Sequence, residues 1–188
     1  MVALATQVVT GYLRPVEILA NPPAPALAAD GPFNIDYSGF VTEDDTPADS
    51  EFSEKQMRLL TRALHASWKP GVPFTVTANV GLYFHLNSSP LVPDVMLALG
   101  VGSPEDPMPR EHRACFVWNR GQIPDIVIAI VLNREGDELT RKFERYASHN
   151  VPYYVVYDPG TFIQAKALRC FELDLHRFPK TLPAYFTS

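Results

Sequence analysis

An α/β fold with a mixed sheet is the class the sequence predicts, and three observations predict it. Residues 124–159, PDIVIAIVLNREGDELTRKFERYASHNVPYYVVYDP, read as strand, loop, helix, strand. Ahead of them, VPFTVTANV, GLYFHL and LVPDVMLALGV read as short strands in quick succession, joined by the turn NSSP. Earlier still, Met57, Leu60, Ala63 and Leu64 share one helical face. A length of 188 residues, 46% of them apolar and 20% charged, suits one globular domain with an arm.

Each element follows from local chemistry. Residues 1–50 read as an irregular N-terminal arm packing on the domain, with a Pro/Ala segment, NPPAPALAADGP, and an acidic loop, TEDDTPADSE. The domain proper spans 51–188. Ser53 is a candidate helix N-cap, and Gln56 completes a capping-box pattern. Pro70-Gly71 stops that helix near Trp68. RACFVW reads as a further strand after a proline-rich loop. Ile126 to Leu132 is apolar on both faces, as in a central strand covered on both sides. A helix from Asp137 or Glu138 to His149 buries Leu139, Phe143, Tyr146 and Ala147, and Asn150 suits a left-handed C-terminal stop. YYVVY is the second strand of a βαβ unit, expected to be parallel to the first. Ala165 to Leu175 closes the sheet. Antiparallel hairpins lie on one side, the βαβ unit on the other, and a helix on each face.

Composition excludes several functions. No apolar run approaches the ~20 residues of a membrane span. Met1 to Thr10 carries no Lys or Arg, which argues against a secretory signal. Cys115 and Cys170 are far apart and read as reduced, buried thiols of a cytoplasmic protein; a zinc site is not expected from two. A net charge of −5 argues against coating long nucleic acid, though Arg134, Arg141, Lys142 and Arg145 could form a local basic patch. The sequence has no HExxH, glycine-rich phosphate loop or GxSxG.

Asp94 stands inside an apolar strand pattern, where a carboxylate is costly unless paired, hydrogen-bonded or bound to metal. A local turn or strand-edge feature at Pro93-Asp94 is the plainer alternative. Asp125 opens its strand and reads as a solvated turn residue. His85 reads as a hydrogen-bonded strand histidine, and the Arg141, Lys142, Arg145 run as a solvated helix face, with Lys142 one turn into the helix. Metal-dependent phosphodiester hydrolysis would connect these pieces. It needs two carboxylates on one divalent ion and a Lys near the attacking water. Asp94 can be the first; the second belongs inside a second strand.

From LVPDVMLALGV through PDIVIAIVLN to RKFERYASHNVPYYVVYDP the chain resembles the Uma-type restriction endonucleases of the PD-(D/E)XK nuclease superfamily. Their pattern has a Pro-Asp strand, a strand resembling PDLVIEVLS, a helix with Lys and Tyr, and a strand resembling GVPEYWLVDP. The likeness runs from about Phe52 to Phe178. It implies a restriction-endonuclease-like mixed sheet with flanking helices, and a metal-dependent DNA endonuclease using Mg²⁺ or Mn²⁺. It implies Asp94 as metal ligand and Lys142 as the catalytic lysine, with Tyr146 one turn on. It places the usual Glu at Ala129 and the usual Ser at Leu132. Alanine cannot ligate a metal, so activity is expected to be weakened or lost. The alternatives are natural loss, an introduced substitution, or a carboxylate moved to Glu135, Asp137 or Glu138. A non-catalytic nuclease-fold protein binding nucleic acid or a protein partner is the second functional expectation. Exposed edge strands make a homodimer a further expectation.

Overall fold

The computed structural model describes residues 35–43, 50–134, 137–172 and 180–181. Most of the expected N-terminal arm, the Glu135 position and the segment after Glu172 up to 179 lie outside the described residues.

Helix α1 is Glu51–Ser67. Its cap is Ser50, whose hydroxyl accepts from Ser53 N–H at 3.1 Å. Ser53, expected to be the cap, is instead buried within the first turn. The helix stops at Trp68, as Pro70-Gly71 requires. Strands β1 (Phe74–Ala78), β2 (Leu82–Tyr83) and β3 (Val95–Leu99) follow. A four-residue helix α2 (Arg110–Arg113), a two-residue strand β4 (Cys115–Phe116) and a second four-residue helix α3 (Val117–Arg120) come next. RACFVW is therefore mostly not strand. Strand β5 (Ile126–Ile130), helix α4 (Arg141–Ser148), β6 (Tyr153–Tyr157), β7 (Leu168–Glu172) and β8 (Lys180–Thr181) complete the described chain.

The main sheet has six strands in the order β1-β3-β5-β6-β7-β8. Strands β5 and β6 are parallel, and the other pairs antiparallel, so β5-α4-β6 is the expected βαβ unit. Strands β2 and β4 form a separate parallel pair. The hairpin partner of β1 is thus β3, with β2 set aside between them.

Two cores sandwich this sheet. On one face, Met57, Leu60 and Leu64 of α1, with Trp68 at its C-terminal cap, pack on Val76, Val95, Leu97, Ile128 and Ile130. On the other, Tyr146 packs among Met96, Val127, Ala129, Val131 and Tyr154. Alternation along β5 assigns even residues to one core and odd residues to the other. All five β5 residues are buried, and each large apolar side chain so placed stabilises by roughly 1.5–3 kcal/mol. Helix α4 ends where Asn150 adopts φ 59°, the left-handed conformation its short polar side chain tolerates. A third cluster, Tyr83, Ala114 and Phe116, holds Tyr37 and Phe40 of the arm. Both cysteines are free and only half-buried, and burial raises both thiols, Cys170 to about 11.

Asp125 is not the solvated turn residue its position suggested. Its carboxylate accepts from Leu99 N–H at 2.7 Å and ties β3 to the start of β5. Burial raises its pKa more than that hydrogen bond lowers it. A carboxyl with a raised folded pKa favours the native state at low pH and loses that contribution as pH rises through the folded value. Asp125→Asn keeps the acceptor and removes the charge. Its urea midpoint at pH 7 should match or exceed that of the unsubstituted chain, with the difference closing below about pH 3.8. A lower midpoint at pH 7 would refute this.

Candidate active site

Asp94 sits one residue ahead of β3, not inside it. The register Val95↔Ile128, extended by one residue, sets Asp94 opposite Ala129. The Asp94 Oδ2 accepts from Ile130 N–H at 2.7 Å, so the carboxylate caps the end of the β3–β5 ladder. Both readings of Pro93-Asp94 are met at once: a strand-edge position, and a carboxylate stabilised by a backbone donor.

Helix α4 supplies the other wall. Its first turn is set by a turn at 138–140, in which the amides of Thr140 and Lys142 bond to Asp137 O at 3.1 Å each. Tyr154, fully buried on β6, donates its hydroxyl to Glu138 O at 2.9 Å and pins that turn to the sheet. The helix therefore begins later than the sequence pattern suggested, and Lys142 is its second residue rather than one turn in.

Asp94, Ala129, Lys142, Arg145 and Tyr146 meet around one pocket of about 110 Å³, rimmed by Pro90 to Pro93. The structure thus gathers three residues that the resemblance singled out and the alanine that replaces its fourth. Leu132 does not line this pocket. Neither do Asp137 and Glu138. Asp137 pairs with Arg141 at 2.7 Å. Glu138 is buried, with Oε1 paired to Lys142 at 3.1 Å and Oε2 without a partner among the described residues.

Electrostatics define what the pocket can do. Burial works to lower the Lys142 pKa, but the hydrogen bond and charge of Glu138, then Asp94 and Asp137, outweigh it. The ammonium is held above its ordinary value and stays protonated at neutral pH. It can donate hydrogen bonds and stabilise negative charge; it cannot take a proton from water. Tyr146 is raised by burial first and by the Asp94 charge second, so its hydroxyl stays a donor. Arg145 is exposed and makes no ion pair among the described residues. Sequence reading placed Arg145 on a solvated helix face and in a possible local basic patch with Arg134, Arg141 and Lys142; its three-residue spacing from Lys142 was the signal that could have put it beside that lysine.

The donor set does not fit a divalent cation held by two carboxylates. One carboxylate lines the pocket, a methyl group occupies the facing position, and two cations stand across from them. Among the described residues no group of three or more His, Cys, Asp or Glu could hold a metal ion. Mg²⁺ in particular demands near-ideal oxygen geometry.

A mixed sheet with an antiparallel edge, a parallel βαβ unit, a helix on each face and an Asp at the mouth of a central strand define a restriction-endonuclease-like α/β domain. Residues 37–183 match the Uma2 family, described as "Putative restriction endonuclease", and the chain belongs to that family. No curated protein matches the sequence. Among the described residues no helix is long and apolar enough to cross a membrane.

Proposed function

We propose that this chain is a nucleic-acid-binding member of its family in which metal-dependent phosphodiester hydrolysis is weakened or lost. The observation that carries the reading is Ala129, buried directly across the β3–β5 ladder from Asp94. A catalytic metal would need a second carboxylate there. The rest of the pocket is better suited to a phosphate. Lys142 and Arg145 offer charge-assisted donors, and the Tyr146 hydroxyl offers a third. Asp94 is partly occupied with the Ile130 amide, which lessens its repulsion of an anion.

A second reading is favoured by one observation. Glu138 keeps a buried Oε2 with no partner among the described residues, beside Lys142, and such an atom is costly unless something satisfies it. If Glu138 is the moved carboxylate, Mn²⁺ would bind the unsubstituted chain through Asp94 and Glu138.

Fluorescence anisotropy with a short DNA duplex, across a salt series in EDTA, tests the first reading. The unsubstituted chain should bind at low salt. Arg145→Ala should weaken binding and reduce the magnitude of the salt slope by about 0.9, the share of one neutralised phosphate. An unchanged slope would remove Arg145 from the interface. Adding Mn²⁺ decides the second reading: tightened binding that Glu138→Gln abolishes would support it.

A further inference from the structure

The same face of the sheet carries a larger cavity beside the Asp94 pocket. It measures about 420 Å³, a size typical of small-ligand sites. Its floor is made by Thr77 of β1 with Met96 and Ala98 of β3. Residues 94, 96 and 98 alternate onto one face, so the cavity opens two residues along β3 from Asp94, a step of ~6.6 Å. Val101, Pro104 and Pro124 form apolar walls.

A few polar groups are fixed among these walls. The hydroxyls of Thr75 and Ser103 lie 3.2 Å apart, so one of them keeps a proton to offer. Gln122 is held by its Nε2 donating to Leu99 O at 2.7 Å, which leaves its carboxamide oxygen as an acceptor. The Arg120 guanidinium donates to Gly102 O at 3.0 Å and is fixed at the rim. Mostly apolar walls that carry a hydroxyl donor and a carboxamide acceptor, with Glu105, His112, Arg113 and Arg120 also in the lining, match a heteroaromatic ring. They match a phosphate poorly, because the lining is mostly apolar. They match a lipid chain poorly, because the polar groups would be stranded.

We propose that this cavity takes a single unpaired nucleobase from the strand whose phosphate lies at Lys142 and Arg145. The proposal rests on the nucleic-acid reading above. Extruding a base is least costly where it is already mismatched, so the favoured substrate is a duplex with a mismatched base or a single-stranded junction. The base edge meets Gln122 and the Thr75–Ser103 pair, and its faces meet Met96 and the prolines.

Three duplexes differing at one central position test it by anisotropy in EDTA: fully paired, mismatched and abasic. The mismatched duplex should bind about tenfold more tightly than the other two. A 2-aminopurine placed at the mismatch should change its emission on binding. Ala98→Phe, which fills the cavity from its floor, should bring the mismatched affinity down to the abasic level. Gln122→Ala guards against a folding defect in the first variant and should cut the same preference. Equal affinity for mismatched and abasic duplexes would overturn the base pocket and leave the nucleic-acid reading standing. No binding to any duplex at low salt would overturn both.

Discussion

Ala129→Glu is expected to gain Mn²⁺-dependent cleavage of supercoiled plasmid, at least about 10²-fold above the unsubstituted chain. A metal ion supplies several kcal/mol of transition-state charge stabilisation, and each 1.36 kcal/mol is tenfold in rate. The new carboxylate would project from β5 into the pocket that Asp94 lines. In EDTA it should also destabilise the fold. Position 129 is buried, and a second carboxylate there faces both burial and Asp94. The thermal midpoint should therefore fall in EDTA and recover with Mn²⁺, while the unsubstituted chain shows no Mn²⁺ shift. Adding Asp94→Ala to the Ala129→Glu variant should abolish both the cleavage and the Mn²⁺ rescue. A folded Ala129→Glu variant whose midpoint ignores Mn²⁺ would show that the pocket does not assemble around these two positions. The midpoint is informative even if no cleavage appears, because it reports metal binding alone.

The part of the fold that was legible is the part set by local periodicity. The unbroken apolar run of β5 implied cover on both faces, and the two cores confirm it residue by residue. The α1 stripe and the Asn150 stop were equally visible. What escaped depends on partners distant in sequence. Ser53 and Ser50 look alike as caps; burial of Ser53 against the core decided between them. GLYFHL and RACFVW have strand composition, yet only two residues of each pair, and they pair with each other outside the main sheet. Asp125 looked solvated because nothing local shows that Leu99 N–H will meet it.

The same division holds at the site. Asp94, Ala129, Lys142 and Tyr146 were picked out by resemblance and do share one pocket. Spacing alone would not have joined them, since 48 residues separate Asp94 from Lys142 and several elements intervene. The charge state of Lys142 was not legible at all. It follows from the turn at 138–140, which the Tyr154 hydroxyl anchors and which sets Glu138 against the ammonium. A lysine that stays protonated can hold a phosphate without a metal, so under the proposed reading binding is expected to outlast the loss of the carboxylate more readily than hydrolysis.

The largest loss of stability should come from a residue outside that pocket. Asp158 directly follows β6 and is fully buried. Its Oδ1 accepts from Phe162 N–H at 2.8 Å, and its Oδ2 from Ile163 and Gln164 N–H at 2.9 and 3.2 Å. One carboxylate thus satisfies three backbone donors of the loop that leads into β7. Asp158→Ala leaves those donors without it and opens a cavity, for an expected loss of about 3 kcal/mol in urea unfolding with an unchanged slope. Asp158→Asn should recover little, because its amide nitrogen would present a donor to donors. The effect should reach the site, since β6 pairs in parallel with β5 and sets Val156 beside Ala129. The Asp158→Ala chain should therefore lose DNA affinity per folded molecule, beyond the fall in its folded fraction. If affinity per folded molecule stays intact, the loop organises β7 alone; if stability is also unchanged, those three amides find other partners and the carboxylate is not what holds them.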